Sequence, residues 1–231
     1  MINDFKDRIL YEDNHIIIVN KLPSEIVQGD KTGDKPLSEL LKDYVKVKYN
    51  KPGNVFMGVI HRIDRPVSGA VVFAKTSKAL ERFNKMLQDR TLKKKYWAVV
   101  KNPPPEESGN LIHYLKKNQS QNKSYVYNKE IEGAKKAELR YMVLDKSDGY
   151  YLLEVELITG RHHQIRAQLS AVGCCIKGDL KYGFARSNPD GSINLHAREV
   201  NFLHPIKNTE IKIIAPVPDD KLWKYFEKLQ S

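Results

Sequence analysis

The chain has 231 residues, of which 41% are hydrophobic, so it can bury a substantial core. It contains no apolar run near the roughly 18 residues of a membrane span and no targeting segment at its N-terminus, which favours a cytoplasmic protein. The net charge of +11 favours a polyanionic partner, most often a nucleic acid, over an ordinary soluble basic protein.

Regular structure can be predicted from the spacing of apolar residues along the chain. Short apolar or alternating runs predict strands at residues 9–11, 16–19, 70–74, 93–100, 111–115, 124–127, 137–144, 151–159, 195–203 and 211–215. Apolar residues at helical spacing predict helices at residues 36–50, 77–89, 163–172 and from residue 218 onward. Strands predominate, so we expect an α+β fold with a mixed, largely antiparallel sheet flanked by helices and loops. No repeat or clear boundary interrupts the chain, which predicts one domain over residues 1–231.

The loop before the apolar strand at residues 70–74 carries the first candidate site. Asp64 lies there between Arg62 and Arg65, in a segment bounded by proline and glycine. A salt-bridged loop aspartate is the plain interpretation of such a residue. A charged loop at the mouth of a rigid strand is also where catalytic groups are often mounted, and a nearby cation would keep a partly desolvated carboxylate ionised.

Two further clusters could serve a nucleic acid. Residues 159–166 pass from a strand end through Gly160 into a helix start rich in hydrogen-bond donors, which suits an anion or an RNA backbone. Basic groups at a helix start oppose its dipole, so this composition favours a functional role over a merely solvated surface. Tyr96 follows three lysines at the start of a strand, where it could be a half-buried sheet residue or a platform for a nucleobase.

Metal and thiol chemistry receive no support from the residue spacing. The histidines at residues 61, 162, 163, 196 and 204 match no ligand pattern, so we predict no metal site. Cys174 and Cys175 are adjacent, which disfavours a structural disulfide between them and fits a reducing compartment.

Four segments, in order and at matching spacing, resemble signatures of the RluA-type pseudouridine synthases, which act on ribosomal or transfer RNA. They are a catalytic-aspartate segment at residues 61–75, a Lys-x-Tyr-x-Ala segment at 94–98, a segment at 159–166 with Gly173, Gly178-Asp179 and Tyr182-Gly183 downstream, and a later segment at 195–205. The match extends from Tyr11 to Pro216. The resemblance implies a mixed sheet crossed by a cleft, and isomerisation of uridine in RNA to pseudouridine by a single catalytic domain without a metal or an organic cofactor.

The resemblance also implies roles for particular residues. Asp64 would be the catalytic carboxylate, acting either by covalent addition to the sugar or base or by removal of a proton from C2′. Tyr96 would stack on the flipped uracil and assist proton transfer at C5, and Arg166 would pair with Asp64 and keep it ionised. The implied substrate contacts come from Arg62, which would fill the gap left by the flipped base, from Ile165, which would pack against the base, and from His61, Arg161 and Gln164.

The chain departs from the family pattern at several positions. His162 stands where threonine is common, Gln168 where histidine is common, and Cys174-Cys175 where His-Pro is more usual. We expect His162 and Gln168 to alter RNA contacts beside the cleft. The catalytic segments begin close to the N-terminus, so we expect no S4-like RNA-binding domain before them, and target choice would rest on the catalytic domain. We also expect a monomer with no obligate protein partner.

Two other functions compete with RNA isomerisation. A catalytically silent RNA-binding protein could use the same scaffold, although it would have no need of a carboxylate facing phosphate. A nuclease or nucleoside glycosidase would require paired carboxylates or metal ligands, and nothing in the sequence places a second carboxylate near Asp64.

Overall fold

The computed structural model describes residues 5–230 of the chain, and these residues form two units. Unit 1 comprises residues 5–93 and 197–217, and unit 2 comprises residues 94–196 and 218–230. Each unit combines antiparallel strands with helices, so the α+β class expected from the sequence is confirmed. The expectation of a single catalytic domain concerns function as well as folding and stays a prediction.

Every strand and helix predicted from the sequence is present, within a few residues at each end. The strands are β1 (Ile9–Glu12), β2 (Ile16–Lys21), β3 (Gly58–Val59), β4 (Ser68–Ala74), β5 (Lys93–Val100), β6 (Ser108–Asn118), β7 (Lys123–Tyr127), β8 (Lys135–Ser147), β9 (Tyr150–Leu157), β10 (Leu195–Leu203) and β11 (Glu210–Ile214). The helices are α1 (Leu37–Lys48), α2 (Ser77–Gln88), α3 (Gln164–Ala171) and α4 (Lys221–Leu229). The short β3 and a 3₁₀ turn at Leu180–Tyr182 are additional elements.

Unit 1 is built around β4, whose seven residues are all buried. Its strand order is β1-β2-β4-β10, with β3 paired to β4 and β11 paired to β10. A strand buried on both faces requires a continuous apolar run, which explains the absence of alternation at residues 70–74. Helix α2 begins after Thr76, whose hydroxyl caps it by accepting a hydrogen bond from the Ala79 amide at 3.2 Å. Phe83 of α2 packs edge-on against Phe202 of β10, with ring centroids 5.0 Å apart.

Strands β4 and β10 approach each other closely at Gly69. This residue has φ of +115°, and a β-carbon there would lie 2.4 Å from the main-chain oxygen of Ala197. Only glycine combines that backbone conformation with the absence of a side chain. Gly69 therefore fixes the start of β4, immediately after the loop that holds Asp64.

Unit 2 has the strand order β5-β9-β8-β6-β7, with antiparallel pairing throughout. Helix α3 covers one face of this sheet, where Ala167 packs with Leu115, Ala137 and Tyr182. Helix α4 begins three residues later than predicted, because Asp220 is its N-cap. The Asp220 side chain accepts hydrogen bonds from the main-chain amides of Leu222 and Trp223. No described helix is long and apolar enough to cross a membrane.

Candidate active site

Asp64 lies in unit 1, in the loop between β3 and β4. The loop is held down by Ile60, Ile63 and Val67, which are all buried, whereas Asp64 itself is only partly buried. The Val67 amide donates a hydrogen bond to the main-chain oxygen of Asp64 at 3.0 Å, which closes a tight turn. Apolar anchors at spacings of three and four residues thus fix the backbone while leaving the carboxylate partly accessible.

The side chain of a buried lysine is hydrogen-bonded to the main chain of this turn. Lys21, the last residue of β2, is fully buried, and its Nζ donates to the main-chain oxygens of Leu22 at 2.8 Å, Arg65 at 3.1 Å and Val67 at 2.7 Å. Three main-chain acceptors match the three N–H groups of the protonated lysine, which is the form present below its pKa. The sequence did not indicate this residue, because the predicted strand ended at residue 19. The available signal was its position directly after an apolar run.

The pKa of Lys21 gives the turn a measurable pH dependence. Burial lowers this pKa to about 7, and the negative charges of Glu25 and Asp64 oppose the shift. An unperturbed lysine has a pKa of 10.5, so between about pH 7 and that value the unfolded chain binds this proton more strongly than the folded chain does. The contribution of Lys21 to the free energy of unfolding should therefore rise with pH across this window.

The comparison of native protein with Lys21→Met tests that expectation. The free energy of unfolding of the native protein should rise relative to that of the variant from pH 7 to pH 9, by at most about 1.4 kcal/mol per pH unit. Urea unfolding followed by tryptophan fluorescence provides the measurement. Lys212→Met, which removes an exposed lysine of β11, is the matched control for the loss of a surface charge. A difference that does not change with pH would contradict a lowered pKa for the buried Lys21 side chain.

The basic residues around Asp64 have different surroundings. His61 is buried, and its Nε2 accepts a hydrogen bond from the Val72 amide at 3.2 Å, which links the loop to β4. Arg65, to which the sequence assigned no role, pairs with Asp34 through a 2.5 Å contact between exposed side chains. Arg62 is exposed and lies 3.5 Å from the side-chain oxygen of Gln28. Substrate contacts by His61 and Arg62 stay predictions.

Tyr96 lies in unit 2, on β5, opposite Val155 of β9. Its side chain is 5% exposed, so most of its surface is already covered. Lys94 is two residues away and therefore shares its face of the strand, and burial lowers the pKa of Lys94. Lys95 projects to the other face and pairs with Glu154 at 2.8 Å. Stacking of Tyr96 on a nucleobase stays a prediction.

The segment before α3 is held in place by Gln164. Its side-chain oxygen accepts hydrogen bonds from the Thr159 hydroxyl at 2.8 Å and the Arg161 amide at 2.9 Å, and its side-chain nitrogen donates to the Glu138 oxygen at 3.0 Å. The exposed Arg161 donates from Nε to the Lys136 oxygen at 2.9 Å. Gln164 and the neighbouring Ile165 are buried. Both Gln164 and Arg161 thus shape their own unit, and their proposed contacts with substrate stay predictions.

Arg166 is a buried cation of unit 2 that is paired with a buried carboxylate. It is buried on α3, and its Nε and Nη2 atoms contact the two carboxylate oxygens of Asp179 at 2.7 and 2.9 Å. Its guanidinium carbon also lies 5.1 Å from the centre of the Tyr182 ring. A planar guanidinium with two bonds to one carboxylate is fixed in orientation. Asp179 was noted in the sequence only as part of a Gly-Asp pair, and the predicted pairing of Arg166 with Asp64 stays a prediction.

His162, which departs from the family pattern, takes part in a local network of side-chain contacts. The ring of His162 stacks on that of His163 at 3.7 Å, and its nitrogens lie 2.9 Å from the Ser124 hydroxyl and 3.1 Å from the Asn122 side-chain oxygen. His163 takes a left-handed backbone conformation at the start of α3, and its Nδ1 lies 3.0 Å from the Tyr182 hydroxyl. These contacts tie β7 to the segment that positions Arg166.

The other two departures lie in the interior of unit 2. Gln168 is fully buried, and its side-chain nitrogen lies 3.0 Å from both the Leu111 oxygen and Nδ1 of His113. Cys174 and Cys175 are free thiols, as predicted, and burial raises the pKa of Cys174 to about 11. Within residues 5–230, no group of three or more histidine, cysteine or acidic side chains is placed to hold a metal ion.

Comparisons with known proteins complete the description of the site. The family model for RNA pseudouridylate synthase matches residues 15–171, a range that includes Asp64, Tyr96 and Arg166. An uncharacterized RNA pseudouridine synthase of Synechocystis sp. is 30% identical over 225 residues, covering 96% of this chain and 67% of the relative. The ribosomal large subunit pseudouridine synthase C of Buchnera aphidicola (from Acyrthosiphon pisum) is 31% identical over 221 residues, covering 93% of this chain and 68% of the relative.

Solved structures agree with these sequence matches at the level of the fold. Human RNA pseudouridylate synthase domain containing 4 superposes with a TM-score of 0.80 at 21% identity, covering 97% of this chain and 94% of the human one. Human RNA pseudouridylate synthase domain containing 1 gives a TM-score of 0.70 at 19% identity, covering 100% and 96%. The resemblance found in the sequence is therefore confirmed: the chain belongs to the RNA pseudouridylate synthase family.

Proposed function

We propose that this protein converts one or a few specific uridines of a ribosomal or transfer RNA to pseudouridine, with Asp64 as the catalytic carboxylate. The observation that carries the proposal is the fastening of the Asp64 turn, by buried apolar residues on one side and by the Lys21 ammonium on the other. A reactive group must be held within a fraction of an ångström, and the turn provides such a mounting. Family membership supplies the class of reaction.

The chemistry is balanced without an external reagent. The C1′–N1 bond breaks, the uracil turns, a C1′–C5 bond forms, and the proton lost from C5 is matched by one gained at N1. Because product and substrate are isomers, no redox carrier is consumed. Asp64 acts either by covalent addition to the sugar or base or by removing the C2′ proton, and both routes require the ionised carboxylate.

The remaining assignments follow from the matching motifs. Tyr96 stacks on the flipped uracil and assists proton transfer at C5, and Arg166 keeps Asp64 ionised. Flipping costs a few kcal/mol, which phosphate contacts of a basic protein offset. The proposed substrate contacts are made by Arg62, which fills the gap in the RNA, and by His61, Arg161, Gln164 and Ile165. We further propose that the whole chain acts as one catalytic domain, as a monomer in the cytoplasm.

The test uses cellular RNA from a strain that lacks the protein. Incubation with purified protein should create pseudouridine at one or a few positions, detected by chemical labelling and primer extension. Separate assays on ribosomal and transfer RNA fractions identify the target class. Retained RNA binding without conversion of any uridine would overturn the proposal in favour of a catalytically silent RNA-binding protein.

A further inference from the structure

The outer face of the β6–β7 hairpin carries an exposed group of tyrosines and lysines. Tyr114 and Lys116 of β6 are directly opposite Tyr127 and Tyr125 of β7, so these four side chains project from the same face. Lys123 is two residues before Tyr125 and belongs to that face as well. We name these five residues the tyrosine–lysine face. The opposite face of the hairpin, which includes Leu115 and Ser124, is buried against unit 2.

Two of the three rings of this face are open to solvent, and Tyr114 is partly buried. Tyr125 is 41% exposed and Tyr127 is 36% exposed, although both lie in the middle or at the end of a regular strand. They are two residues apart, roughly 6.6 Å along the strand, so each ring can receive its own flat ligand. Tyrosines are common in strands, but two exposed rings flanked by lysines are unlike the alternation of apolar and polar residues in the rest of the sheet.

The charges of this face fit a polyanion. The Lys123 ammonium lies 5.7 Å from the centre of the Tyr125 ring, and Lys116 reaches the main-chain oxygen of Glu132 rather than a carboxylate. A hydrophobic protein partner would be matched by aliphatic side chains at these positions. Aromatic rings beside cations suit the π-faces and phosphates of an unpaired nucleic acid strand instead.

The tyrosine–lysine face is continuous with the proposed catalytic arginine. The guanidinium carbon of Arg166 lies 5.1 Å from the centre of the Tyr182 ring, and the Lys123 ammonium lies 5.2 Å from the same ring. Within unit 2, the buried Tyr182 ring therefore lies between Arg166 on one side and Lys123 of the tyrosine–lysine face on the other. Strand β7 is at the end of the strand order of its sheet, so this face lies along a sheet edge.

We propose that the tyrosine–lysine face binds a single-stranded segment of RNA that flanks the target uridine, by stacking bases on Tyr125 and Tyr127 and by pairing phosphates with Lys116 and Lys123. This inference rests on the proposed function, because it assumes that Arg166 faces the reacting nucleotide. It adds a binding site for unpaired RNA outside the residues that the family motifs identify.

Binding of a fluorescein-labelled oligouridine, followed by fluorescence anisotropy, tests this site independently of turnover. Tyr125→Ala and Tyr127→Ala should each weaken affinity about 5- to 100-fold, and Tyr→Phe at either position should retain most of it, because stacking needs the ring and not the hydroxyl. Lys116→Gln and Lys123→Gln should each reduce the slope of log affinity against log salt by about one. Tyr225→Ala, which removes an exposed ring from α4 of the same unit, is the matched control and should bind as the native protein does.

The outcomes separate this inference from the proposed function. Weaker binding by Tyr125→Ala and Tyr127→Ala supports RNA binding by the tyrosine–lysine face, even if the native protein converts no uridine. If both variants bind the oligouridine as tightly as the native protein, and the native protein forms pseudouridine, RNA binding by the tyrosine–lysine face is wrong. The proposed function is then unaffected. A native dimer in light scattering that both alanine variants return to monomer, with RNA affinity unaltered, would also overturn it, in favour of a second copy of this chain as the occupant.

Discussion

Replacing Asp64 with asparagine should lower the rate of pseudouridine formation by at least about 10³-fold, while the affinity for RNA stays within about twofold of the native value. Asparagine keeps the size of the side chain but cannot act as a nucleophile or accept a proton. The turn should survive, because the Val67 amide bonds the main-chain oxygen of residue 64 and not its side chain. Single-turnover conversion of target RNA and a binding assay give the two readouts.

Asp34→Asn is the matched control for Asp64→Asn. Asp34 is an exposed carboxylate of the same unit, and it pairs with Arg65, one residue beyond Asp64. An exposed ion pair contributes at most about 1 kcal/mol, so this variant should convert uridine at close to the native rate. If Asp64→Asn retained turnover comparable to that of the control, Asp64 would have no chemical role and the proposed mechanism would be wrong.

Substitutions at Arg166 and Asp179 should have coupled effects on the free energy of unfolding. Replacing both residues should restore stability but not the rate of uridine conversion. Arg166→Met should destabilise the protein by about 3–5 kcal/mol, because it leaves the Asp179 carboxylate buried without its partner. The double variant Arg166→Met/Asp179→Leu removes both charges and should regain much of that loss. Conversion of uridine should stay at least about 10²-fold below the native rate in the double variant, because the proposed mechanism requires the guanidinium itself.

Urea unfolding and single-turnover conversion together decide this second prediction. The matched control is the double-mutant cycle on Lys95 and Glu154, a partly exposed pair of the same unit, for which we expect a coupling below about 1 kcal/mol. Recovery of activity along with stability in Arg166→Met/Asp179→Leu would show that Arg166 is needed only for folding. A double variant whose destabilisation equals the sum of the two single variants would show that the pair is not coupled.

The fold could be predicted well where local pattern and tertiary environment agree. The continuous apolar run of β4 and the helical spacing of α2 with its Thr76 cap are signals that a short window of sequence contains. Helix α3 was also predicted, within one residue at each end, although its start depends on the left-handed backbone of His163. The two-residue strand β3 was not predicted, because its pairing with β4 arises from tertiary contact and not from its own composition.

For the candidate site, the sequence indicated residues but did not indicate their hydrogen-bond partners. Motif matching indicated Asp64, Tyr96 and Arg166, because reactive residues have characteristic neighbours in sequence. Lys21 and Asp179 were missed, because each acts through a residue far along the chain, 44 and 13 positions away respectively. Long-range hydrogen bonds have no periodicity, so a single sequence does not display them.

The way Lys21 holds the Asp64 turn has a consequence for how this protein tolerates change. Its ammonium binds main-chain oxygens of Arg65 and Val67, and every amino acid supplies such an oxygen. Residue 65 can therefore be exchanged for another amino acid without loss of these hydrogen bonds. Residue 21 has no such freedom, since only lysine offers three N–H donors on a single terminal atom at the end of a long flexible stem. The surface of the turn can thus vary in sequence while its support at residue 21 stays the same.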